Sequence, residues 1–242
     1  MLVELLSRET AMPVVAIEDG MRVEPNRVHV IVPAKTLLIS DGILHLVEPD
    51  APRGHRHPID KFFSALAEDQ KAKAIAIVLS GAGSNGTAGL ADIKQAGGMC
   101  IAQDPETAKF DSMPRHAIAS NLVDLVLAPE AMPEALLRYA RHSYVLAQRP
   151  EIDAEDEPGQ SATGLDDVLA LLHARAGHDF SQYKLNTLSR RVHRRMGLAQ
   201  LEDLGQYLDL LAREPEEAAA LVQDLLIHVT AFFRDAEAWE AL

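Results

Sequence analysis

The sequence predicts a mainly parallel α/β sheet followed by a small all-helical domain of about four helices. Three observations carry this. Between residues 28 and 127, short apolar runs alternate with helical patterns. Runs without polar alternation suit strands covered on both faces, and the strand–helix alternation suits parallel pairing. Beyond Gly164 the strand signal vanishes and only a helical period remains. Between the two regions, residues 151–163 hold five acids, no base and the pair Pro158-Gly159, the composition of a solvated linker.

Taken in order, the strand candidates are residues 28–32, 37–39, 74–79, 99–102 and 122–127. Helices are expected at 59–67, 87–96 and 114–119, with Gly97-Gly98 as a stop and turn. Residues 129–147 read as a terminal helix of this region. In the second region Leu165, Val168, Leu169, Leu172 and Ala176 keep a helical period that Gly177 can end. Leu185, Leu188, Val192 and Met196 form a second stripe, with Gly197 as its expected stop. Leu204, Tyr207, Leu208 and Leu211 give a third, and Pro215 opens a fourth. The expected division is therefore 1–148, a linker at 149–163, and 164–242.

Composition narrows the function classes. Of the 242 residues 48% are apolar, enough for packed cores. A single cysteine, Cys100, excludes a disulfide framework within the chain and fits a reducing cytoplasm. No apolar run reaches the roughly 18 residues needed to cross a bilayer, and Glu4, Arg8 and Glu9 interrupt what a signal peptide would keep apolar. Net charge is −13, which argues against general binding to nucleic acid or to an anionic membrane.

Ser80-Gly-Ala-Gly-Ser-Asn-Gly86 lies between a strand and a helix. Gly81, Gly83 and Gly86 fit the dinucleotide fingerprint, and Asp104 stands near where a ribose-binding acid would be. A nucleotide-binding oxidoreductase is therefore one reading. Against it, the fingerprint normally follows the first strand of its domain, and here two strand candidates precede it. A plain strand-to-helix turn is a second reading. His55-Arg-His57 has the alternate spacing of a metal pair but lacks a Cys, Asp or Glu partner at ligand spacing, so no metal site is expected. His29, His45 and His116 also fall in or near the first region.

The wider context of the glycine loop, residues 79–98, resembles the segment that carries the triad aspartate in CheB-type protein-glutamate methylesterases. Residues 18–33 resemble that family's early strand region, and residues 101–118 the segment closing over its active site. The resemblance covers about residues 1–145. It implies a doubly wound α/β fold, incomplete at its N-terminus, and hydrolysis of glutamate methyl esters on chemoreceptors. By the same resemblance the triad serine and histidine lie upstream of the matched part. Asn85 stands where the family has its aspartate, and Ala82 where it has a methionine. A serine esterase needs a hydroxyl, an imidazole to take its proton and a carboxylate to orient that imidazole. A neutral amide favours the wrong tautomer, a change worth about 10⁴ in turnover in a serine protease. Ser80 and Ser84 are available hydroxyls but read as turn formers, so esterase activity by the family mechanism is not expected.

In the helical region Lys184, Arg190, Arg191, Arg194 and Arg195 occur with no acid between Asp179 and Glu202. Positions 190/194 and 191/195 share a helix side. With Leu188, Val192 and Met196 turned to the core, the arginines are expected outside, suited to an acidic partner. A solvated face or an intramolecular salt-bridge set is the alternative.

Residues 177–196 resemble the N-terminal domain of CheR-type protein-glutamate methyltransferases, and Thr230-Ala-Phe-Phe-Arg234 resembles their segment leading to the methyl-donor site. This resemblance implies that Arg190, Arg191, Arg194 and Arg195 dock on the methylation helices of a chemoreceptor. It also implies S-adenosylmethionine contacts from Thr230 and Arg234, with His228 in place of the family's asparagine. Phe232 and Phe233 are expected in the core. The chain is thus expected to be a catalytically incomplete member of a methylesterase–methyltransferase fusion in bacterial chemotaxis. A non-catalytic receptor-binding module is the alternative.

Overall fold

The computed structural model describes residues 2–52, 56–146, 162–177, 179–180 and 183–226. By packing, the chain divides into two units, residues 1–130 and 131–242.

The first unit opens with helix α1 (Leu2–Glu9) and then builds three small sheets. Strands β1 (Val14–Ala16) and β3 (Val28–Val30) pair in parallel, Val14 opposite Val28. Strands β2 (Met21–Arg22), β4 (Thr36–Ser40) and β5 (Ile43–Val47) form an antiparallel sheet in the order β2-β5-β4. Strand β4 covers the expected strand at 37–39, but its return partner β5 and their antiparallel pairing were not expected; the turn between them is Asp41-Gly42. Both residues have positive φ, 51° and 70°, the requirement of the two-residue turn whose twist matches paired strands. Helix α2 (Pro58–Gln70) then crosses to the third sheet, the parallel set β6 (Ile75–Val78), β7 (Met99–Gln103) and β8 (Leu125–Leu127) in the order β6-β7-β8. Every residue of β7 is buried, as a central strand's continuous apolar run requires. Helices α3 (Gly89–Gln95) and α4 (Ser112–Ala119) join these strands.

The core has two parts joined by α2. Phe63 and Ala67 pack with Ala76, Val78, Leu90, Ile93, Cys100 and Ala102 around the parallel sheet. Phe62 and Leu66, on another side of the helix, pack against Ile17, Leu37, Ile39 and Leu44 of the hairpin region. One buried ion pair, Lys94 Nζ to Asp124 Oδ1 at 3.3 Å, ties α3 to the approach of β8. The first unit is thus a mainly parallel α/β structure with an antiparallel insertion.

In the second unit the stretch expected as one terminal helix is two: α5 (Met132–Arg141) and the short α6 (Ser143–Leu146), broken at His142. Four further helices follow: α7 (Ala162–Ala176), α8 (Leu185–Ala199), α9 (Leu204–Arg213) and α10 (Pro215–Leu226). Leu165, Val168, Leu172, Leu188, Val192, Tyr207, Leu211, Leu221 and Leu225 form one buried cluster. Asp203 accepts the N–H of Gln206 at 2.9 Å and starts α9. The Arg175 guanidinium donates to the carbonyls of Leu211 and Ala212, which lack helical partners at the end of α9. Gly197 is not a stop: α8 runs on to Ala199 and ends at Gln200 in the left-handed conformation. A Cβ at 197 would meet His142 at 3.4 Å and Tyr144 at 3.6 Å, ordinary packing distances, so the crossing of 142–146 over α8 does not itself demand a glycine. No helix among the described residues is long and apolar enough to cross a membrane.

Candidate functional site

Open parallel sheets hold their ligands at the carboxyl ends of the strands. Here those ends carry the loop after β6, residues 79–88, and the segment after β7, residues 104–111. Asn85 lies in the first. Its side-chain carbonyl accepts the N–H of Ile59 at 3.2 Å and of Asp60 at 3.3 Å. These are first-turn donors of α2 with no partner inside the helix. His57, at the N-cap, offers no side-chain cap of its own. Asn85 therefore caps α2 from another element, a role worth about 1 kcal/mol. The oxygen that could orient an imidazole is turned to the helix, and the group carries no charge.

Asp60 continues the contact: Oδ1 accepts the N–H of Gly89 at 3.0 Å, and Oδ2 lies 3.4 Å from His57 Nδ1. The glycines here answer to packing. A Cβ on Gly89 would stand 2.7 Å from Phe63 Cβ and 2.8 Å from the Asp60 carbonyl. One on Gly81 would meet Met113 Sδ at 2.3 Å, and one on Gly86 would meet Ile59 at 2.9 Å. Gly83 and Gly86 hold positive φ, 89° and 97°, so the turn's backbone explains two of the three fingerprint glycines.

The segment after β7 is stitched to this loop. Gly81 N–H donates to the Phe110 carbonyl at 2.9 Å, and Met113 N–H to the Gly81 carbonyl at 3.0 Å. Ser80 Oγ accepts the Phe110 N–H at 3.0 Å, so Ser80 is occupied as a turn former. Ser80 N–H reaches Gln103 Oε1 at 2.8 Å, and the Ser112 hydroxyl donates to the Gly83 carbonyl at 3.2 Å. At the edge, the Arg115 guanidinium holds the Asp111 carboxyl below its usual range.

The histidines do not complete a triad. His116 Nδ1 donates to the Ser112 carbonyl at 2.7 Å, so although the Ser112 hydroxyl lies 3.4 Å from the same nitrogen, that nitrogen is not a free base, and the ring is exposed. His45 pairs with Ser40 at 3.1 Å across the hairpin, and His29 sits in β3. His57 faces Asp60 and is 61% exposed, with no serine hydroxyl bonded to it among the described residues. His55 lies outside the described residues. Nor is there, among the described residues, a group of three or more His, Cys, Asp or Glu able to hold a metal ion.

The arginines correct an expectation. Arg191 and Arg194 are fully buried, Arg195 is 8% exposed and Arg190 is partly buried. Arg194 bonds Asp224 of α10 at 2.5 Å, with both side chains at 0% exposure. Arg195 forks onto Glu217, Nε to Oε1 at 2.9 Å and Nη2 to Oε2, and the Tyr207 hydroxyl donates to the same carboxylate at 2.9 Å. Burial raises the Tyr207 hydroxyl pKa, and the Glu217 charge adds to it. Burial, with Arg190 and Arg194 alongside, pushes the Arg191 pKa down to about 10. The outward stripe is in fact an internal network. This is the intramolecular alternative; local sequence could not select it because the partners lie 22 and 30 positions away on another helix.

Comparison with known proteins places this geometry. The family model for the CheB methylesterase matches residues 1–136, more than half of the chain. The chain belongs to the CheB methylesterase family. A second model, the CheR methyltransferase all-alpha domain, matches residues 163–226. The crystal structure of the Thermotoga maritima CheB methylesterase catalytic domain superposes with a TM-score of 0.51 at 31% identity, covering 56% of this chain and 74% of that one. An uncharacterized 104.1 kDa protein of Rhodobacter capsulatus is 36% identical across the whole chain, which spans 27% of its length. Protein-glutamate methylesterase/protein-glutamine glutaminase 3 of Anaeromyxobacter dehalogenans is 37% identical over 54% of this chain and 39% of its own. The chain thus spans well under half of these two relatives. None of the comparisons supports the nucleotide-binding reading. Thr230, Arg234, His228, Phe232 and Phe233 lie outside the described residues.

Proposed function

We propose that this chain belongs to a bacterial chemotaxis adaptation protein whose family chemistry is the hydrolysis and formation of glutamate methyl esters on chemoreceptors. Within it, the CheB-like unit is catalytically silent by the family mechanism and the CheR-like helices contribute receptor binding. One observation carries the silent reading: Asn85, at the position that the resemblance assigns to the triad aspartate, uses its carbonyl to cap α2. A neutral, occupied amide cannot stabilise the imidazolium that a serine attack creates.

The partner under this reading is the acidic face of a chemoreceptor's cytoplasmic methylation helices. Since Arg191, Arg194 and Arg195 are engaged internally, contact falls to the open side of α8, where Lys184, Leu185 and His193 are exposed and Arg190 partly so. Compartment and cofactor follow from the same proposal: a cytoplasmic protein, with S-adenosylmethionine as the methyl donor of the methyltransferase module. Thr230, Arg234 and His228 are its candidate contacts in this chain, and binding that is millimolar or weaker is expected.

The test is methanol release from methylated receptor by the purified chain, beside receptor binding by titration. Receptor binding without methanol release above background is the expected result. Turnover that is lost on replacing one serine and one histidine would overturn the silent reading; absence of binding would overturn the receptor reading.

A further inference from the structure

Residues 142–146 are held on α8 by a histidine that the geometry requires to be neutral. His142 is buried, at the break between α5 and α6. Its Nδ1 accepts the backbone N–H of Tyr144 at 3.2 Å, and its Nε2 faces the Leu201 carbonyl at 3.0 Å. A carbonyl can only accept, so Nε2 carries the hydrogen and Nδ1 does not. A proton added at Nδ1 would set one N–H against another inside a buried turn: the Tyr144 N–H would lose its acceptor and the new Nδ1–H would face a donor.

The surroundings decide whether that matters. From the loop after α8, Glu202 Oε1 lies 3.5 Å from Nε2, but its side chain is 62% exposed and its attraction is screened by water. The same carboxylate accepts the Ser143 N–H at 3.3 Å and the Ser143 hydroxyl. Burial raises the Tyr144 hydroxyl pKa; the charges of Arg194, Arg190 and Arg191 from α8 oppose that, and Asp224 of α10 adds to it. On its own element Arg141 precedes the histidine. Cations outnumber acids around the segment, and the screened Glu202 does not offset a direct clash of buried donors. Tyr144 and Val145 are themselves buried, and Gly197 of α8 lies beside the His142 ring and Tyr144 Cβ.

We propose that residues 142–146 form a proton-sensitive clasp on the arginine helix: it is closed while His142 is neutral, and a proton taken up at Nδ1 breaks the Tyr144 N–H bond and loosens Tyr144 and Val145 from α8. One N–H bond forms at Nδ1 and one hydrogen bond, from Tyr144 N–H, breaks. The clasp is defined by these contacts alone and stands whether or not the proposed function does.

The test is amide hydrogen exchange of the full chain at pH 7.5 and 5.5, corrected for intrinsic rates. These values bracket the range where an unperturbed histidine titrates and lie above the range where Glu202 does. Protection of the Tyr144 and Val145 amides falls about tenfold or more at the lower pH. In His142→Gln, whose carbonyl can still accept but does not titrate, protection is the same at both. Unchanged protection in the native chain overturns the clasp, as does an equal fall in His142→Gln. Imidazole nitrogen shifts give a reading without any variant: His142 must gain its proton as the amides lose protection, and a ring still neutral at pH 5.5 overturns it.

Discussion

Replacing Asp224 by alanine should unfold the second unit's helical core well below the native midpoint. Asp224 and Arg194 are both at 0% exposure and meet at 2.5 Å. Removing the carboxylate takes away the acid that Arg194 bonds inside the fold. Breaking a buried pair from one side costs about 3–5 kcal/mol. For a unit of roughly 60–100 ordered residues, each kcal/mol moves the midpoint by about 4–8 °C, so the loss is on the order of 12 °C or more. Replacing both partners by apolar residues, Arg194→Met with Asp224→Leu, removes the desolvation cost with the charges and should be neutral or stabilising by up to about 4 kcal/mol. Denaturant unfolding followed by far-ultraviolet circular dichroism measures both. A single-variant cost below about 1 kcal/mol, the size of an exposed pair, would refute the buried network and return the arginines to the surface.

Three further outcomes follow from the same contacts. Asn85→Ala, which leaves the Ile59 and Asp60 N–H groups without their cap, should cost about 1 kcal/mol in unfolding experiments. Gly89→Ala sets a methyl 2.7 Å from Phe63 Cβ and should cost about 1–3 kcal/mol by overpacking, read as a lower thermal midpoint; no loss would mean that α2 and α3 have room to part. The Ser143 hydroxyl bond holds the Glu202 carboxyl below its usual 4.5. A lowered carboxyl contributes stability above its unfolded pKa and loses it as pH falls through the folded value, so Glu202→Gln should flatten the acid limb of the stability profile below about pH 4.5.

The legible parts of the fold were those written in local periodicity. Residues 74–79 and 99–102 read as covered strands because no polar residue interrupts them, and they are β6 and β7. The helical region was legible because four separate stripes repeat at helical spacing. The β4–β5 hairpin had a local signal in Asp41-Gly42 that went unused, whereas β1 and β2, three and two residues long, carry almost none. The break at His142 could not be read: the apolar period runs unbroken through 131–147, and the interruption comes from contacts with Leu201 and Gly197 more than fifty positions away. The candidate loop was legible in its residues but not in its bonds. Nothing local to Asn85 indicates that its carbonyl reaches the start of α2, and the burial of the arginines is set by Glu217 and Asp224 on a helix read as a separate stripe.

A fluorophosphonate probe applied to the folded, purified chain, followed by mass spectrometry of the serine peptides, bears most directly on the claim that no hydroxyl here is activated. The account predicts labelling at every serine no faster than in the denatured chain. Rapid stoichiometric modification of Ser80 or Ser84, abolished by replacing His57 or His116, would contradict it.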